Sequence, residues 1–384
     1  MTQSFIDMMA LFSLGSRGKK AESTGGFNID EIKRLSFYQK IWPTVYFALG
    51  EVTPEMLNMA MNKAGRQNAV YKIVEKLEKS GIPCCFLKGE ILDDMYADPA
   101  IRLTSDTDLL INPDHEKAVI KIVKENGFLV HERLKTSNEL KTTHKAAGLV
   151  EFHIALDNKQ MSEVWFNNKF KTPEPFRTHI SKANISYTTL SETDGLIFVF
   201  LHFVKHFISA VGNIKMIMDI LMYMETYKDT INWEKFDNLI SDLGYMKILN
   251  VIKYIGTKYL GFSYVTEDFS ELSNQILTDM EESDFAEEQT AFYSKYTEIR
   301  YERFNGGNFS EYNKSLNRAN FKKRYFPSRV TMIPKYPYLI KYPFLVPWAW
   351  FIRALNFVLK KENNVSPSDE SNSRIELIKS LDLF

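Results

Sequence analysis

Hydrophobic and polar positions change their spacing twice along the chain, and these changes divide it into three regions. Between residues 28 and 81, apolar residues recur three and four positions apart, as in IDEIKRLSFYQKIW, which predicts a helical lead-in ending at Gly81. From 82 to 190, short apolar runs such as TDLLI and LVEFHIAL alternate with helical stretches, which indicates an α/β core. Helical spacing returns over 191–312 and predicts an α-helical domain.

Both ends of the chain differ from these regions. Residues 1–27 contain a short apolar segment and the stretch SLGSRGKKAESTGG, and we predict a flexible N-terminal segment there. Residues 313–361 are basic and rich in aromatic residues, with prolines too frequent for one continuous helix. Residues 362–384 include the low-complexity run ENNVSPSDESNS and are predicted to form a flexible tail. The whole pattern predicts an α+β fold, with a small mixed sheet between a helical lead-in and a C-terminal α-helical domain.

Charge excludes some classes of protein. The 384 residues include 48 Lys or Arg and 48 Asp or Glu, so the formal net charge is zero. This balance argues against a uniformly basic nucleic-acid binder and against an acidic disordered chain. It is a cancellation, because residues 267–288 carry nine acidic residues and no Lys or Arg, whereas 313–361 carry eleven Lys or Arg and no acidic residue.

Several features favour a cytoplasmic location. Cys84 and Cys85 are adjacent in an apolar run, where we expect them to pack and not to bridge, as in a reducing compartment. The positive charges of the first twenty residues follow the apolar stretch, which is not the order of a secretory signal. The longest uncharged hydrophobic stretch, 342–352, contains two prolines and falls short of the ~20 residues that a spanning helix needs.

Acidic residues lie on two short apolar runs of the core. Side chains alternate between the faces of a strand, so Asp106 and Asp108 project from one face of their run. Glu151 and His153 share a face of the second run. If the two strands are neighbours, Glu151 joins the aspartates in a three-carboxylate cluster. Such a cluster needs a cation because its carboxylates repel one another, and oxygen ligands suit Mg²⁺ or Mn²⁺. These ions can bind a phosphoryl group.

Features typical of phosphate binding precede the first acidic run. Gly89 lies at a predicted strand-to-helix turn, where a glycine lets the backbone approach a phosphate. Lys88 and Arg102 are candidate partners for phosphate oxygens, and Ser105 is added to the nucleotide-binding residues. Lys88 is equally compatible with a surface charge, and Arg102 with a structural pair to Asp98.

Other polar residues have two interpretations each. His153 either orients the carboxylate beside it or is an ordinary half-buried histidine. His202 and His206 lie on one helix face, and we favour packing or nucleotide contact for them over metal binding. Asp219 either caps a contact into the cleft or pairs with Lys215 one turn earlier. We select His153, His206 and Asp219 as residues that support the site.

Two further groups are assigned to ordinary structure. Three acidic residues are predicted to be solvated in the first turns of a helix: Glu90, Asp93 and Asp94. Three aromatic residues are predicted to pack in the core or a lid, with a membrane-surface role as the alternative: Trp348, Trp350 and Phe351.

The order of the motifs resembles the uncharacterised bacterial nucleotidyltransferase family of the DNA polymerase beta-like superfamily. The resemblance rests on Leu87-Lys88-Gly89, then Tyr96, Asp98 and Arg102, then Asp106-Thr107-Asp108-Leu109-Leu110, then Val150-Glu151-Phe152-His153, and later segments extend it over most of 30–361. It implies that Gly89 takes the phosphate turn, Asp106 and Asp108 ligate metal, and Glu151 is the third acid. Glu90 departs from the superfamily, which usually has serine or glycine there.

This resemblance implies transfer of a nucleoside monophosphate from an NTP to a hydroxyl-type acceptor, with Mg²⁺ or Mn²⁺ and release of pyrophosphate. Glu151 would share a metal and draw the proton from the acceptor, for which the resemblance suggests a sugar or lipid-linked molecule. One alternative is a non-catalytic binding or regulatory protein of this fold that docks an acidic partner or a membrane surface through 313–361. Another is a toxin-antitoxin type enzyme that nucleotidylates a protein or tRNA.

Overall fold

The structure is a computed structural model, in which the chain forms one mixed sheet surrounded by helices. It describes residues 1–104, 106–131, 139–154, 176–210, 212–282, 332, 336, 342–352 and 376–383. The predicted α+β fold is confirmed: seven strands form a mixed sheet, with helices before and after it in the chain.

Four helices precede the sheet: α1 (Gln3–Ser16), α2 (Ile29–Tyr38), α3 (Trp42–Ala48) and α4 (Pro54–Lys79). The prediction of a flexible segment over 1–27 is wrong for α1, which is capped by the Thr2 hydroxyl and buries Phe5 and Phe12 in the main core. Gly15 belongs to this helix and not to a linker. A Cβ on Gly15 would overlap the carbonyl oxygen of Thr44, so the glycine allows α1 and α3 to approach closely.

The strands are β1 (Cys85–Phe86), β2 (Asp106–Leu110), β3 (Leu129–Val130), β4 (Glu139–His144), β5 (Gly148–His153), β6 (Phe176–Ile180) and β7 (Ser186–Leu190). Their order across the sheet is β3-β4-β5-β2-β1-β7-β6. The β2–β5 and β1–β7 pairs are parallel, and the other pairs are antiparallel. Helix α5 (Glu90–Met95) follows β1, and α6 (Glu116–Glu125) follows β2. The predicted packing of Cys84 and Cys85 is confirmed, since both are buried free thiols.

Within the described residues up to 282, five helices follow the sheet: α7 (Glu192–Ala210), α8 (Ile214–Thr226), α9 (Trp233–Asp242), α10 (Met246–Tyr259) and α11 (Ser270–Glu282). Helix α8 is central to this layer, and its side chains from Ile217 to Met224 are all buried. It also contacts α5, which brings the helical layer against the helix that follows β1.

The C-terminal region is described only in part. The prediction of a flexible tail over 362–384 is wrong for 376–383, where Leu377, Ile378 and Leu381 are buried in the main core. Of the basic region 313–361, only residues 332, 336 and 342–352 are described. In the described part of the chain, no helix combines the length and apolar character needed to cross a membrane.

Candidate active site

Two acidic strands lie side by side at the centre of the sheet. Strands β2 and β5 pair in parallel, with Asp108 opposite Glu151 and Asp106 opposite Leu149. Asp106 and Asp108 share a face because side chains alternate along a strand. The ligand atoms of Asp108, Glu151 and His153 lie within 4.8 Å of one another, and all three residues are buried. The structure therefore brings Glu151 to Asp108 as expected, with His153 and not Asp106 completing the tightest group.

Asp108 is an ionised carboxylate held between two nitrogen groups. Its Oδ1 accepts a hydrogen bond from Nε2 of His153 at 2.8 Å, and its Oδ2 lies 3.2 Å from Nζ of Lys88. Burial opposes the charge, but Lys88 and His153 outweigh it and lower the pKa of Asp108 to about 2. The interpretation in which His153 orients Glu151 is corrected, because its partner is Asp108.

The Lys88 side chain is largely buried and does not lie on the open surface. Only 14% of its side chain is exposed, and Nζ donates to Nε2 of His202 at 3.0 Å. Burial, and then the charge of Lys88, lower the pKa of His202 well below its ordinary value, so the neutral imidazole accepts this bond. The ring of His206 packs against that of His202 with centroids 4.5 Å apart and an angle of 57° between the ring planes. Neither histidine belongs to the group of potential metal ligands among the described residues.

Gly89 forms the turn between β1 and α5. Its φ of 81° lies in the left-handed region, which a glycine adopts without strain. A Cβ there would be 3.9 Å from the carbonyl oxygen of Asp106, so the turn lies beside the start of β2. Ser105, predicted to bind nucleotide, lies outside the described residues.

Arg102 occupies a buried ion network, which corrects its predicted role in phosphate binding. Its Nε and Nη2 donate to the two oxygens of Asp219 at 2.9 and 2.8 Å, and Nη1 donates to Asp93 at 2.8 Å. The hydroxyl of Tyr96 donates to the same Asp219 carboxylate at 2.9 Å. Arg102 is 4% exposed with every guanidinium nitrogen engaged, so it is a structural group. Its alternative partner, Asp98, instead caps the following turn by accepting from the amide of Ala100.

The network extends to the N-terminal helices. Nζ of Lys63 on α4 lies 2.7 Å from Asp93 and donates to the carbonyl oxygens of Pro99 and Arg102. Asp93 and Glu90 are 2% and 5% exposed, so the prediction that they are solvated is wrong. They are buried because α5 is covered by α8 on one side and linked to α4 on another.

Two lysines near the site have roles that sequence reasoning missed. Lys141 faces Glu151 across the β4–β5 register, and its Nζ lies 2.8 Å from Oε1. Nζ of Lys215 lies 3.7 Å from Oδ2 of Asp219, which is the pairing that the spacing of the two residues suggested. The Lys215 side chain is also 16% exposed. Burial and the charge of Arg102 lower its pKa to about 8. Neither residue lies in a recognisable motif, and only the register and the helix packing bring them to the site.

Glu90 follows the glycine turn and is protonated at neutral pH. Its Oε1 accepts from the hydroxyl of Thr107 at 3.3 Å, and Oε2 is buried without a hydrogen-bond partner among the described residues. Burial, and then the charge of Asp93, raise the pKa of Glu90 to about 8. The departure from the superfamily therefore places a neutral acid beside the turn, which does not repel a phosphate.

Replacement of Glu90 by glutamine should remove a pH dependence of stability. The folded pKa of about 8 lies above the unfolded value of about 4.3, so the contribution of Glu90 to stability is fully present below about pH 4 and is lost as the pH rises through about 8. Between about pH 5 and pH 9, we expect the free energy of unfolding of E90Q to increase by about 2–4 kcal/mol relative to that of the wild type. Urea unfolding at both pH values measures this, with E55Q at the exposed start of α4 as the control. Equal pH profiles for E90Q and the wild type would contradict the assignment.

Comparison with known proteins identifies a family. A family model described as an uncharacterised nucleotidyltransferase matches residues 27–260, which is more than half of the chain. No curated protein matches the sequence.

Several solved structures show partial likeness. The lincosamide antibiotic adenylyltransferase LnuA, lincomycin-bound, is 14% identical, covers 34% of this chain and 84% of its own, and has a TM-score of 0.26. ANT(2")-Ia in complex with adenylyl-2"-tobramycin is 14% identical over 46% of this chain and 94% of its own, with a TM-score of 0.34. A CCA-adding enzyme in complex with ATP is 12% identical over 91% of this chain and 84% of its own, with a TM-score of 0.23.

The family match spans the structural features that carried the resemblance. Residues 27–260 contain all seven strands, the glycine turn at Gly89 and the paired acidic strands β2 and β5. The predicted family is thereby confirmed. The chain belongs to the uncharacterised nucleotidyltransferase family and is an enzyme of the class that transfers nucleoside monophosphates.

Proposed function

We propose that the protein transfers a nucleoside monophosphate from an NTP to a hydroxyl group of an acceptor at the cleft above β2 and β5. A bond forms between the acceptor oxygen and the α-phosphorus, the bond from that phosphorus to the bridging oxygen breaks, and pyrophosphate leaves. The observation that carries this proposal is the pairing of Asp108 with Glu151 in register, beside Lys88 and the Gly89 turn.

The acidic residues fit a divalent cation. Asp108 and Glu151 supply carboxylate oxygens from adjacent strands, and Oδ2 of Asp108 is buried with no hydrogen bond from any residue that the structure describes. Asp106 adds a carboxylate on the same face of β2. These three residues would hold Mg²⁺ or Mn²⁺, which neutralises charge on the phosphoryl oxygens when bound.

Cationic residues on the other side of the cleft would bind the triphosphate. Lys88 follows β1, Lys215 lies on α8, and both side chains are partly exposed. At the Gly89 turn, the backbone can also come close to a phosphate oxygen. With Arg102 committed to Asp219, we assign the second phosphate cation to Lys215. Catalysis would then consist mainly of positioning and charge neutralisation.

The acceptor's proton is assigned to Glu151. One of its oxygens accepts a hydrogen bond from Lys141, which fixes the carboxylate on the face of the sheet that carries Asp108. His153 and Lys88 hold Asp108 in the same way. Each of the two acids thus has a nitrogen group that sets its orientation, as a reaction at a defined phosphorus atom requires.

Incubation of the protein with each α-labelled NTP, a divalent cation and cell extract tests this function. Label in a sugar or lipid fraction, together with pyrophosphate release, supports transfer to a hydroxyl-type small or lipid-linked acceptor. Label in protein or tRNA supports the toxin-antitoxin alternative. Nucleotide binding by calorimetry without label in any fraction supports the non-catalytic alternative and would overturn the proposed reaction.

A second proposal concerns the basic region 313–361, which we propose contacts an anionic membrane surface. Within it, Tyr342, Phe344, Trp348 and Phe351 are 41%, 73%, 55% and 54% exposed. Ala349 and three further residues, Met332, Tyr336 and Leu345, pack into a small cluster that is separate from the main core. Exposed aromatic side chains within a basic segment are typical of a membrane-surface contact, and the side chains of Trp348 and Phe351 have the exposure that such a contact requires.

Substitution of the exposed aromatic pair should weaken vesicle binding. We expect the W348S/F351S variant to bind vesicles that contain anionic lipid about tenfold more weakly, because two aromatic side chains no longer enter the interface. Co-sedimentation at low and high salt measures the binding. The V265S variant, which alters a fully exposed apolar residue elsewhere, should bind as the wild type does. Wild-type protein that fails to bind, or binding that is insensitive to W348S/F351S, would contradict the proposal.

A further inference from the structure

The imidazole of His153 lies within the group of carboxylates at the centre of the site. Its Nε2 is 2.8 Å from Oδ1 of Asp108, and the two residues and Glu151 offer ligand atoms within 4.8 Å of one another. His153 is 7% exposed, Asp108 1% and Glu151 8%. Two carboxylates and one imidazole therefore converge on one buried point between strands β2 and β5.

Strand geometry explains why these three side chains meet. Glu151 and His153 are two positions apart on β5, so they project from the same face of the sheet. Asp108 lies opposite Glu151 on β2, within reach of both. Asp106 lies opposite Leu149, two register pairs farther from His153 than Asp108 is, and it does not belong to the described group whose ligand atoms lie within 4.8 Å of one another.

The spacing of the donor atoms suits one ion. Adjacent ligands of an octahedral ion with bonds of about 2.1 Å lie about 3 Å apart, close to the 2.8 Å between Nε2 and Oδ1. Among the described residues, the other oxygen of Asp108 is buried without a hydrogen bond, and Nζ of Lys88 lies 3.2 Å away as a counter-charge.

We propose that His153 is a metal ligand in the tautomer that carries the ring proton on Nδ1, so that Nε2 binds the ion together with Asp108 and Glu151 in a site that prefers Mn²⁺ to Mg²⁺. This inference rests on the metal site of the proposed function and adds a nitrogen ligand and the class of ion. Imidazole nitrogen binds transition-metal ions well, whereas Mg²⁺ is best served by oxygen ligands. An imidazole among the closest ligand atoms therefore favours the transition-metal ion.

Electron spin-echo envelope modulation of the full chain loaded with Mn²⁺ alone tests the proposal. The wild type should show ¹⁴N coupling from a bound imidazole, and H153Q should lose it. Mn²⁺ affinity, from the free-ion electron paramagnetic resonance signal, should fall at least about tenfold in H153Q. Mg²⁺ should displace Mn²⁺ from the wild type only at a concentration at least about tenfold higher.

Matched variants separate His153 from the other imidazoles of the cleft. H202Q and H206Q should retain the coupling, since neither residue belongs to the ligand group. Bound Mn²⁺ without ¹⁴N coupling, no binding of Mn²⁺, or displacement by Mg²⁺ at equal concentration would each overturn the inference. The wild-type spectrum decides the question even if H153Q does not fold.

The failure of this inference is distinguishable from failure of the proposed function. Coupling from the imidazole in a protein that labels no acceptor would overturn the nucleotidyl transfer and support the ligand assignment. Transfer of label by a protein whose Mn²⁺ shows no nitrogen coupling would overturn the assignment of His153 and support the transfer.

Discussion

Replacement of Asp108 by asparagine should reduce nucleotidyl transfer by at least about 1,000-fold, the loss expected when a main source of charge stabilisation is removed. Asp108 is 1% exposed, and Lys88 and His153 overcome the effect of burial to hold its pKa at about 2, so it is fully ionised at neutral pH. An asparagine of the same shape can still accept the hydrogen bond from His153, but it carries no charge for a divalent ion.

Transfer of label from the α-labelled NTP to the acceptor fraction measures this effect. Mn²⁺ binding by calorimetry should fall in parallel, because the same carboxylate is a proposed ligand. The control is D114N, an identical change at an exposed residue that follows β2. Retention of more than about a tenth of the wild-type transfer by D108N would show that the reaction does not depend on this carboxylate.

Replacement of Asp219 by alanine should reduce the free energy of unfolding by about 3–5 kcal/mol, because it leaves a buried guanidinium without its main counter-charge. Arg102 and Asp219 are both 4% exposed and share two hydrogen bonds of 2.9 and 2.8 Å. The hydroxyl of Tyr96 loses its acceptor as well. The pKa of Asp219 is held below its usual value because Arg102, Lys215 and Tyr96 together outweigh the effect of burial.

Urea unfolding of D219A and of a double variant tests the assignment. In R102M/D219L both charged partners are replaced by apolar side chains, so the loss of stability should be smaller than in D219A. Asp93 keeps Lys63 as a partner in that variant. A loss below about 1 kcal/mol in D219A, or an equal loss in both variants, would contradict the view that Arg102 has a structural role in place of phosphate binding.

The core of the site was predictable because it depends on short-range rules. Alternation along a strand places Asp106 with Asp108 and Glu151 with His153, whatever the rest of the fold does. The structure then pairs the two strands in parallel with Asp108 opposite Glu151. The N-terminal helix was missed for a local reason as well, since Gly15 and Ser16 are typical of linkers until the contact of α1 with α3 is known.

The partners of long charged side chains were not predictable in this way. Arg102 lies 117 positions from Asp219, and Lys88 lies 114 positions from His202. Whether these side chains contact phosphate, solvent or a carboxylate depends on where α7 and α8 pack against α5. Glu90 shows the same effect, because only its burial converts an apparent charge beside the turn into a neutral acid.

Spacing within the chain thus determined the family, the mixed sheet and the two acidic strands, because alternation and helical periodicity are properties of neighbouring residues. Tertiary packing alone decided that His153 joins the carboxylates, that Arg102 pairs with Asp219, and that α1 belongs to the core. The physical reason is that burial and electrostatic partnership are set by groups that are distant in the chain and close in space.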